Sequence, residues 1–248
     1  MKKIVKVSDK HPKKEPIIHK VTFHKLDWLE WITLVLGFWF LLYPEPYRIL
    51  LGVLLVIPIL GIILNGIQKP SIASLVVIDN RDDGKYDVAD FIDVAAIMIL
   101  IRVSIDFKYE SFYSLIIPGA VGFLVVLSLL FFTHKKVEKS NQDRKWIYLS
   151  VIINIFLYSY AGTYAVNCAY DQSTPQRYET IVLDKKEGNT RKSRRRYSVT
   201  IAPWKDHKEK EKMYIPQTQF ESVEIGDTLM VNLKKGVFGI PWYYVRKE

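Results

Sequence analysis

In the first two thirds of the chain, apolar residues are bunched into long runs that short charged stretches separate. Four of these runs are close to the roughly 20 residues that a helix needs to cross a hydrocarbon core of about 30 Å. They cover residues 26–43, 47–67, 112–133 and 146–166. The pattern predicts a membrane-spanning helix over each.

The first run has an alternative interpretation as a cleaved signal peptide. Tryptophans and Tyr43 lie toward its ends, as in the aromatic belts of membrane helices. A signal peptide would need a small-residue cleavage site after the run, whereas Pro44-Glu45-Pro46 follows it. A retained membrane anchor is the favoured interpretation.

A fifth run at 88–105 is apolar in its middle but carries Asp90, Asp93 and Arg102, so hydropathy alone does not decide whether it crosses. The charge of the loops does decide whether it crosses, because cytoplasmic loops are enriched in Lys and Arg. If this run crosses, one side of the membrane holds sixteen Lys and Arg, and the two short loops on the other side hold only Arg48 and Lys108. If it does not cross, the five positive charges of 134–145 fall on the wrong side. We therefore predict five spans, with the N-terminus cytoplasmic.

The remaining third of the chain changes to short segments of alternating polarity. They predict strands at 178–184, 197–202, 213–215, 228–233 and 237–245, with a turn at Gly188-Asn189. Five short strands in a small unit indicate an OB-like or SH3-like barrel or a bent sheet. The predicted fold class is a membrane α-helical bundle of about five transmembrane helices (26–166) followed by a C-terminal all-β domain (167–248), which the span count puts on the outer side.

The composition of the chain also gives its net charge. The chain contains 49% apolar and 25% charged residues and has a mean hydropathy of +0.05. These values average over the long apolar runs and the polar rest of the chain. The net charge of +9 first suggests a nucleic-acid or membrane-surface partner. Residues 1–25 hold eight lysines, however, and are predicted to form a basic cytoplasmic tail. The largest share of the charge is then an orientation signal.

Residues 79–90 invite comparison with a calcium-binding loop, because acidic residues fall at its first, fifth, ninth and twelfth positions and Gly84 at its sixth. Arg81 stands at the third position, where it removes a ligand and repels the ion. Asp90 is also shorter than the usual bidentate Glu. An acidic turn that caps the next helix is the favoured interpretation, and calcium binding is the alternative.

Polar residues of the predicted third span, together with Asn154 of the last span, raise a second hypothesis. Asp93, Arg102 and Asn154 are ionisable or polar groups at membrane depth, which are candidates for an ion or proton path. Asp93 and Arg102 lie on opposite helix faces, and Arg102 is spaced to pair with Asp106 near the outer end. A structural role is favoured, and the alternative is a small transporter or channel subunit.

An Arg-rich loop offers a candidate anionic-ligand site in the β domain. Its positive side chains are Arg191, Lys192, Arg194, Arg195 and Arg196. Clusters of this kind bind phosphates of lipid or glycan headgroups. The alternative is a solvent-exposed hairpin tip without a ligand. Nucleic acid is not expected on the outer side.

Signatures of catalysis are missing from the sequence. It contains no Walker A loop, no G-x-G-x-x-G and no G-x-S-x-G, and its five histidines have no metal-ligand spacing. The single cysteine, Cys168, excludes an intrachain disulfide and is expected to be a packing residue, with palmitoylation or an intermolecular bridge as alternatives. We predict no enzymatic activity, no cofactor and no metal site.

Three stretches, KPSIASL, YSYAGTYAVNCAYD and IGDTLMVNLKKGVFGIPWYYV, resemble a group of uncharacterised bacterial multi-pass membrane proteins with a C-terminal small β domain. The resemblance covers most of the chain and implies residence in the bacterial inner membrane. It carries no functional residue. The expected function is to anchor an outward-facing β domain for binding or assembly, with the lipid bilayer, another envelope protein or anionic headgroups as partners.

Overall fold

A computed structural model describes residues 27–75, 90–138, 144–189 and 195–247. Five helices come first, and a sixth short helix lies within the sheet region. They are α1 (Asp27–Leu42), α2 (Tyr47–Gly66), α3 (Asp90–Asp106), α4 (Tyr113–Thr133), α5 (Arg144–Ala169) and α6 (Gln217–Ser222), with a 3₁₀ turn at Ile72–Leu75. The predicted helix positions are confirmed to within a few residues.

Among the described residues, three helices are long and apolar enough to cross a membrane: α2, α4 and α5. The other two are 16 residues (α1) and 17 residues (α3) long. At 1.5 Å per residue they measure about 24–26 Å, which is less than the roughly 30 Å of a hydrocarbon core. The prediction of five spans is therefore supported for three helices only.

The five long helices alternate in direction. The end of α3 lies beside the end of α1, where Arg102 Nη1 donates to the Leu41 carbonyl at 3.2 Å. The start of α2 lies beside the end of α5, where Arg48 Nε donates to the Ala169 carbonyl at 3.0 Å. At the opposite end of the bundle, the α2 residue Asn65 lies 3.4 Å from His134, which follows α4.

The third helix is central to the bundle. It packs against α1, α2 and α5, and it buries Phe91, Ala95, Ile99 and Val103. By contrast α4 lies at the periphery, packs mainly against α5, and exposes most of its apolar side chains.

The C-terminal region is a curled antiparallel sheet that forms a half-barrel. The strands are β1 (Lys108–Tyr109), β2 (Gln176–Asn189), β3 (Arg195–Ile201), β4 (Glu211–Tyr214), β5 (Thr228–Lys234) and β6 (Trp242–Arg246), in the order β1-β6-β5-β2-β3-β4. The first half of β2 pairs with β5 and the second half with β3. A register shift between Val182 and Asp184 separates the two halves, and such a bulge bends the sheet. The bent-sheet form of the prediction is confirmed.

Two details of the strand prediction are wrong. Gly188 and Asn189 lie within β2, where they pair with Arg196 and Arg195, so the predicted turn is not at these residues. The final strand begins at Trp242 and not at Val237. The backbone N–H of Val237 donates to an α5 carbonyl, so this segment is held by the helices and not by a neighbouring strand.

The first strand was not predicted. It consists of two residues in the connection between α3 and α4, and it pairs with β6 through Lys108↔Tyr243 and Tyr109↔Trp242. A two-residue strand has no periodicity of its own and is defined only by its distant partner.

Candidate functional site

The Arg-rich loop can be followed only in part. Arg191, Lys192 and Arg194 lie outside the described residues, as does the calcium-like loop at 79–89. The strand β3 begins with Arg195 and Arg196, and their side chains are likewise not described. A phosphate site in this loop stays a prediction.

The polar residues of the third helix are spread along it. Asp93 is half-buried on α3, and Asn154 is half-buried on α5, against which α3 packs. Arg102 follows Asp93 by nine residues, about 13.5 Å along the helix axis. Its Nε and Nη2 each donate to a carboxylate oxygen of Asp106 at 2.6 Å. The predicted pair of Arg102 with Asp106 is confirmed, and it holds the guanidinium at the end of the helix.

The strongest polar site is the junction between the end of α5 and the sheet, centred on Asp171. One carboxylate oxygen accepts hydrogen bonds from Trp242 Nε1 at 2.8 Å and from the Gly236 backbone N–H at 3.0 Å. The other accepts from the Ser173 N–H at 2.7 Å. Lys234 Nζ lies 3.9 Å from the carboxylate and donates to the backbone carbonyl of Asp171 at 3.0 Å.

Asp171 is ionised in this setting. Its side chain is only 3% exposed. Burial alone would raise the pKa of Asp171, but the donors of Ser173, Trp242 and Gly236 favour the carboxylate and hold its pKa below the ordinary value of 3.8. A buried carboxylate with this many donors is a fixed anchor point for the chain around it.

Asn167, on the last turn of α5, holds the same loop of the sheet. Its Oδ1 accepts from the Phe238 N–H at 2.9 Å, and its Nδ2 donates to the Ile240 carbonyl at 2.8 Å. Its own backbone carbonyl accepts from Val237 at 3.2 Å. The connection between β5 and β6 is therefore wrapped around the end of α5 and shares its hydrogen bonds.

Aromatic rings continue this junction into the helical bundle. Phe40 and Tyr47 have ring centroids 5.0 Å apart, and Tyr47 and Phe107 lie 5.9 Å apart. Phe107 meets Trp242 of β6 at 5.0 Å. All three contacts are edge-to-face, the geometry that aromatic quadrupoles prefer. The ring series joins α1 and α2 to the final strand.

Side-chain contacts connect β1 and β4, the two edge strands of the half-barrel. Lys108 on β1 lies 3.4 Å from Glu211 on β4, and the hydroxyl of Tyr243 also donates to Glu211. Nearby, Lys205 pairs with Glu110 at 2.6 Å. Because β1 belongs to the connection between α3 and α4, these contacts tie the far edge of the sheet to the bundle as well.

Two adjoining clefts open where the sheet diverges from the end of α3. One has a volume of about 380 Å³ and the other about 490 Å³. They share five lining residues, which come from the end of α3, the end of β4 and the segment that follows β4: Ser104, Ile105, Tyr214, Ile215 and Pro216. The first cleft adds the cations Lys108 and Arg246. Cavities of this size accept a small molecule or a lipid headgroup.

Sequence reasoning did not find the junction. Asn167 and Asp171 follow an apolar run without any motif, and their partners in the sheet region lie more than sixty residues away. The only available signal was the presence of two polar residues where a span meets the β domain.

No known protein family, no curated protein and no solved structure matches the chain. The resemblance to bacterial multi-pass membrane proteins stays a prediction.

Proposed function

We propose that this chain is an integral protein of the bacterial inner membrane that holds its half-barrel against the membrane surface as a binding or assembly module. The observation that carries the proposal is the β1–β6 pairing, in which the α3–α4 connection supplies a strand to the sheet. A sheet completed by the bundle has a fixed orientation relative to it. Such a domain presents its surface at a defined height above the bilayer.

The exposed faces of the helices support insertion into a membrane. Large apolar side chains are exposed on every one of the five long helices, among them Trp31 (62%), Ile49 (64%), Ile117 (75%) and Phe132 (81%). Large apolar side chains exposed on every helix of a bundle favour cover by lipid or protein. The helices α2, α4 and α5 supply the spans, and α1 and α3 lie alongside them with the same alternation of direction.

We propose that α1 and α3 also cross. Their shortfall of a few ångströms relative to a 30 Å core is within what local thinning of the bilayer and flanking aromatic residues accommodate. The Arg102–Asp106 pair at the end of α3 and the partly exposed Trp28 at the start of α1 then lie at the two interfaces. This arrangement separates residues 1–25 from the half-barrel by the thickness of the membrane.

Charge supports an outward-facing half-barrel. The helix ends and connections on its side of the bundle hold few cations, and three of these have partners: Arg48 with the end of α5, Arg102 with Asp106, and Lys108 with Glu211. The opposite end holds the lysine-rich tail and the loop at 134–145. By the excess of Lys and Arg in cytoplasmic loops, the tail is cytoplasmic.

Labelling of single cysteines tests the location. In a Cys168→Ala background, Lys208→Cys in the half-barrel and Lys136→Cys at the opposite end are both exposed positions. With a membrane-impermeant maleimide on spheroplasts, Lys208→Cys is expected to react at once and Lys136→Cys only after lysis. The reverse order would overturn the orientation. Release of the protein by alkaline extraction would overturn insertion.

A further inference from the structure

The clefts beside the end of α3 continue an apolar stripe on that helix. Ile97, Ile101 and Ile105 recur every four residues and are 46%, 41% and 59% exposed. Residues at this spacing lie on one helix face. The stripe therefore runs from the middle of α3 to Ile105, which lines both clefts.

The lining of the clefts combines apolar, aromatic and cationic side chains. Next to Ile105, the walls are Ile215, Pro216 and the 55% exposed ring of Tyr214. The first cleft also has Gln219 of α6, Lys108 of β1 and Arg246 of β6 in its lining. Such a lining offers apolar contacts for an acyl chain and positive charge for a phosphate, the two parts of a phospholipid.

Arg246 is the free cation of this lining. It is exposed, and within the described part of the chain its side chain makes no hydrogen bond or ion pair. Lys108 is paired with Glu211 but keeps 41% of its side chain exposed. The acidic residue of the lining, Asp106, has both oxygens occupied by Arg102. An anion that enters the cleft meets unneutralised positive charge at Arg246.

We propose that the clefts bind one anionic phospholipid, with its phosphate at Arg246 and an acyl chain along the isoleucine stripe of α3. The proposal rests on the membrane location proposed above. The lipid comes from the leaflet on the half-barrel side and fills the angle between sheet and bundle. It is a different site from the Arg-rich loop at 191–196.

Native mass spectrometry of the full-length protein in detergent tests the site. Phosphatidylglycerol and phosphatidylcholine are titrated separately, and the fraction of protein that retains one lipid is measured. The wild type is expected to retain phosphatidylglycerol in preference. Arg246→Gln is expected to reduce that retention by about tenfold, the effect of losing one charge-assisted hydrogen bond. Lys208→Gln removes an exposed cation elsewhere on the half-barrel and is expected to change nothing.

A second variant tests the chain-binding part. Ile105→Trp fills the cleft next to α3 and is expected to reduce retention of both lipids. Its control, Ile117→Trp, places the same ring on the 75% exposed face of α4 and is expected to have no effect. Equal retention by wild type and Arg246→Gln, or full competition by glycerol phosphate without a chain, would overturn the proposal.

Alkaline extraction of the same variants separates this inference from the proposed function. A protein that stays in the membrane but shows no phosphatidylglycerol preference overturns the lipid site alone. A protein that is released overturns the membrane location, whatever lipid it retains in detergent.

Discussion

Asp171 and Trp242, 71 residues apart, are joined by a hydrogen bond of 2.8 Å from the indole Nε1 to the carboxylate. The same indole packs edge-to-face on Phe107, and Lys234 Nζ lies 5.4 Å from the centre of the Trp242 ring. A ring held by a hydrogen bond at its edge and by contacts on its other sides has one orientation. The pair therefore fixes the angle at which the half-barrel sits on the helices.

Asp171→Asn is expected to loosen the sheet from the bundle. The carboxylate accepts on both oxygens, from Trp242 and Gly236 on one and from Ser173 on the other. An amide has only one acceptor, so its NH₂ group must face at least one of these N–H donors. The expected loss of stability is about 1–3 kcal/mol, measured by thermal unfolding in detergent.

A control for this variant is Asp206→Asn, which removes a carboxylate from an exposed position in the same domain. It is expected to leave the unfolding temperature unchanged. Limited proteolysis adds a local measurement, since faster cleavage in 235–241 with Asp171→Asn reports undocking of that loop. Equal unfolding temperatures for the two variants would contradict the anchoring role.

The contribution of Asp171 is expected to depend on pH. Its pKa in the folded protein lies below the ordinary value of 3.8, so its ionised form is favoured by folding. The stabilisation is complete above about pH 4 and is lost as the pH falls through the lowered folded-state pKa. The difference in unfolding temperature between wild type and Asp171→Asn should therefore narrow below pH 4. A constant difference down to pH 2 would show that the charge of Asp171 is not what anchors the sheet.

Sequence patterns located the helices well and the junction not at all. The run at 112–133 is apolar throughout, and α4 matches it to within one residue. Hydropathy and periodicity report on local burial, so they reach every element that buries a face of its own. The two residues of β1 and the loop around Asn167 are defined by partners that are distant in sequence. No local pattern contains that information.

The contacts of the charged residues show the same difference between local and distant partners. Arg102 and Asp106 are four residues apart on a helix, and the pair was predictable from that spacing. The additional bond from Arg102 to the Leu41 carbonyl, and the bond from Arg48 to the end of α5, were not. Both cations meet helix C-termini, where carbonyls without partners attract them.

A double-mutant cycle on Arg102 and Asp106 tests whether the pair has a structural role. The two side chains are 19% and 18% exposed, and they are joined by two hydrogen bonds. We expect Arg102→Gln and Asp106→Asn each to destabilise the bundle, with a coupling energy of about 1–3 kcal/mol. Thermal unfolding of the four proteins in detergent measures it. Additive effects would show that the pair does not hold the end of α3.

Gly236 and Gly239 provide the sharpest test of the junction, because they share a backbone conformation and differ in surroundings. Both have positive φ, 74° and 72°, so an alanine at either position costs about 1–2 kcal/mol in backbone strain. A Cβ at Gly239 would meet nothing within 4 Å, whereas one at Gly236 would collide with the side chain of Asn167. Gly236→Ala must therefore also displace Asn167 and its bonds to Phe238 and Ile240.

We expect Gly236→Ala to be less stable than Gly239→Ala by at least about 1 kcal/mol in thermal unfolding. Because the strain cancels in this comparison, equal stabilities would mean that the contact with α5 contributes nothing to holding the sheet.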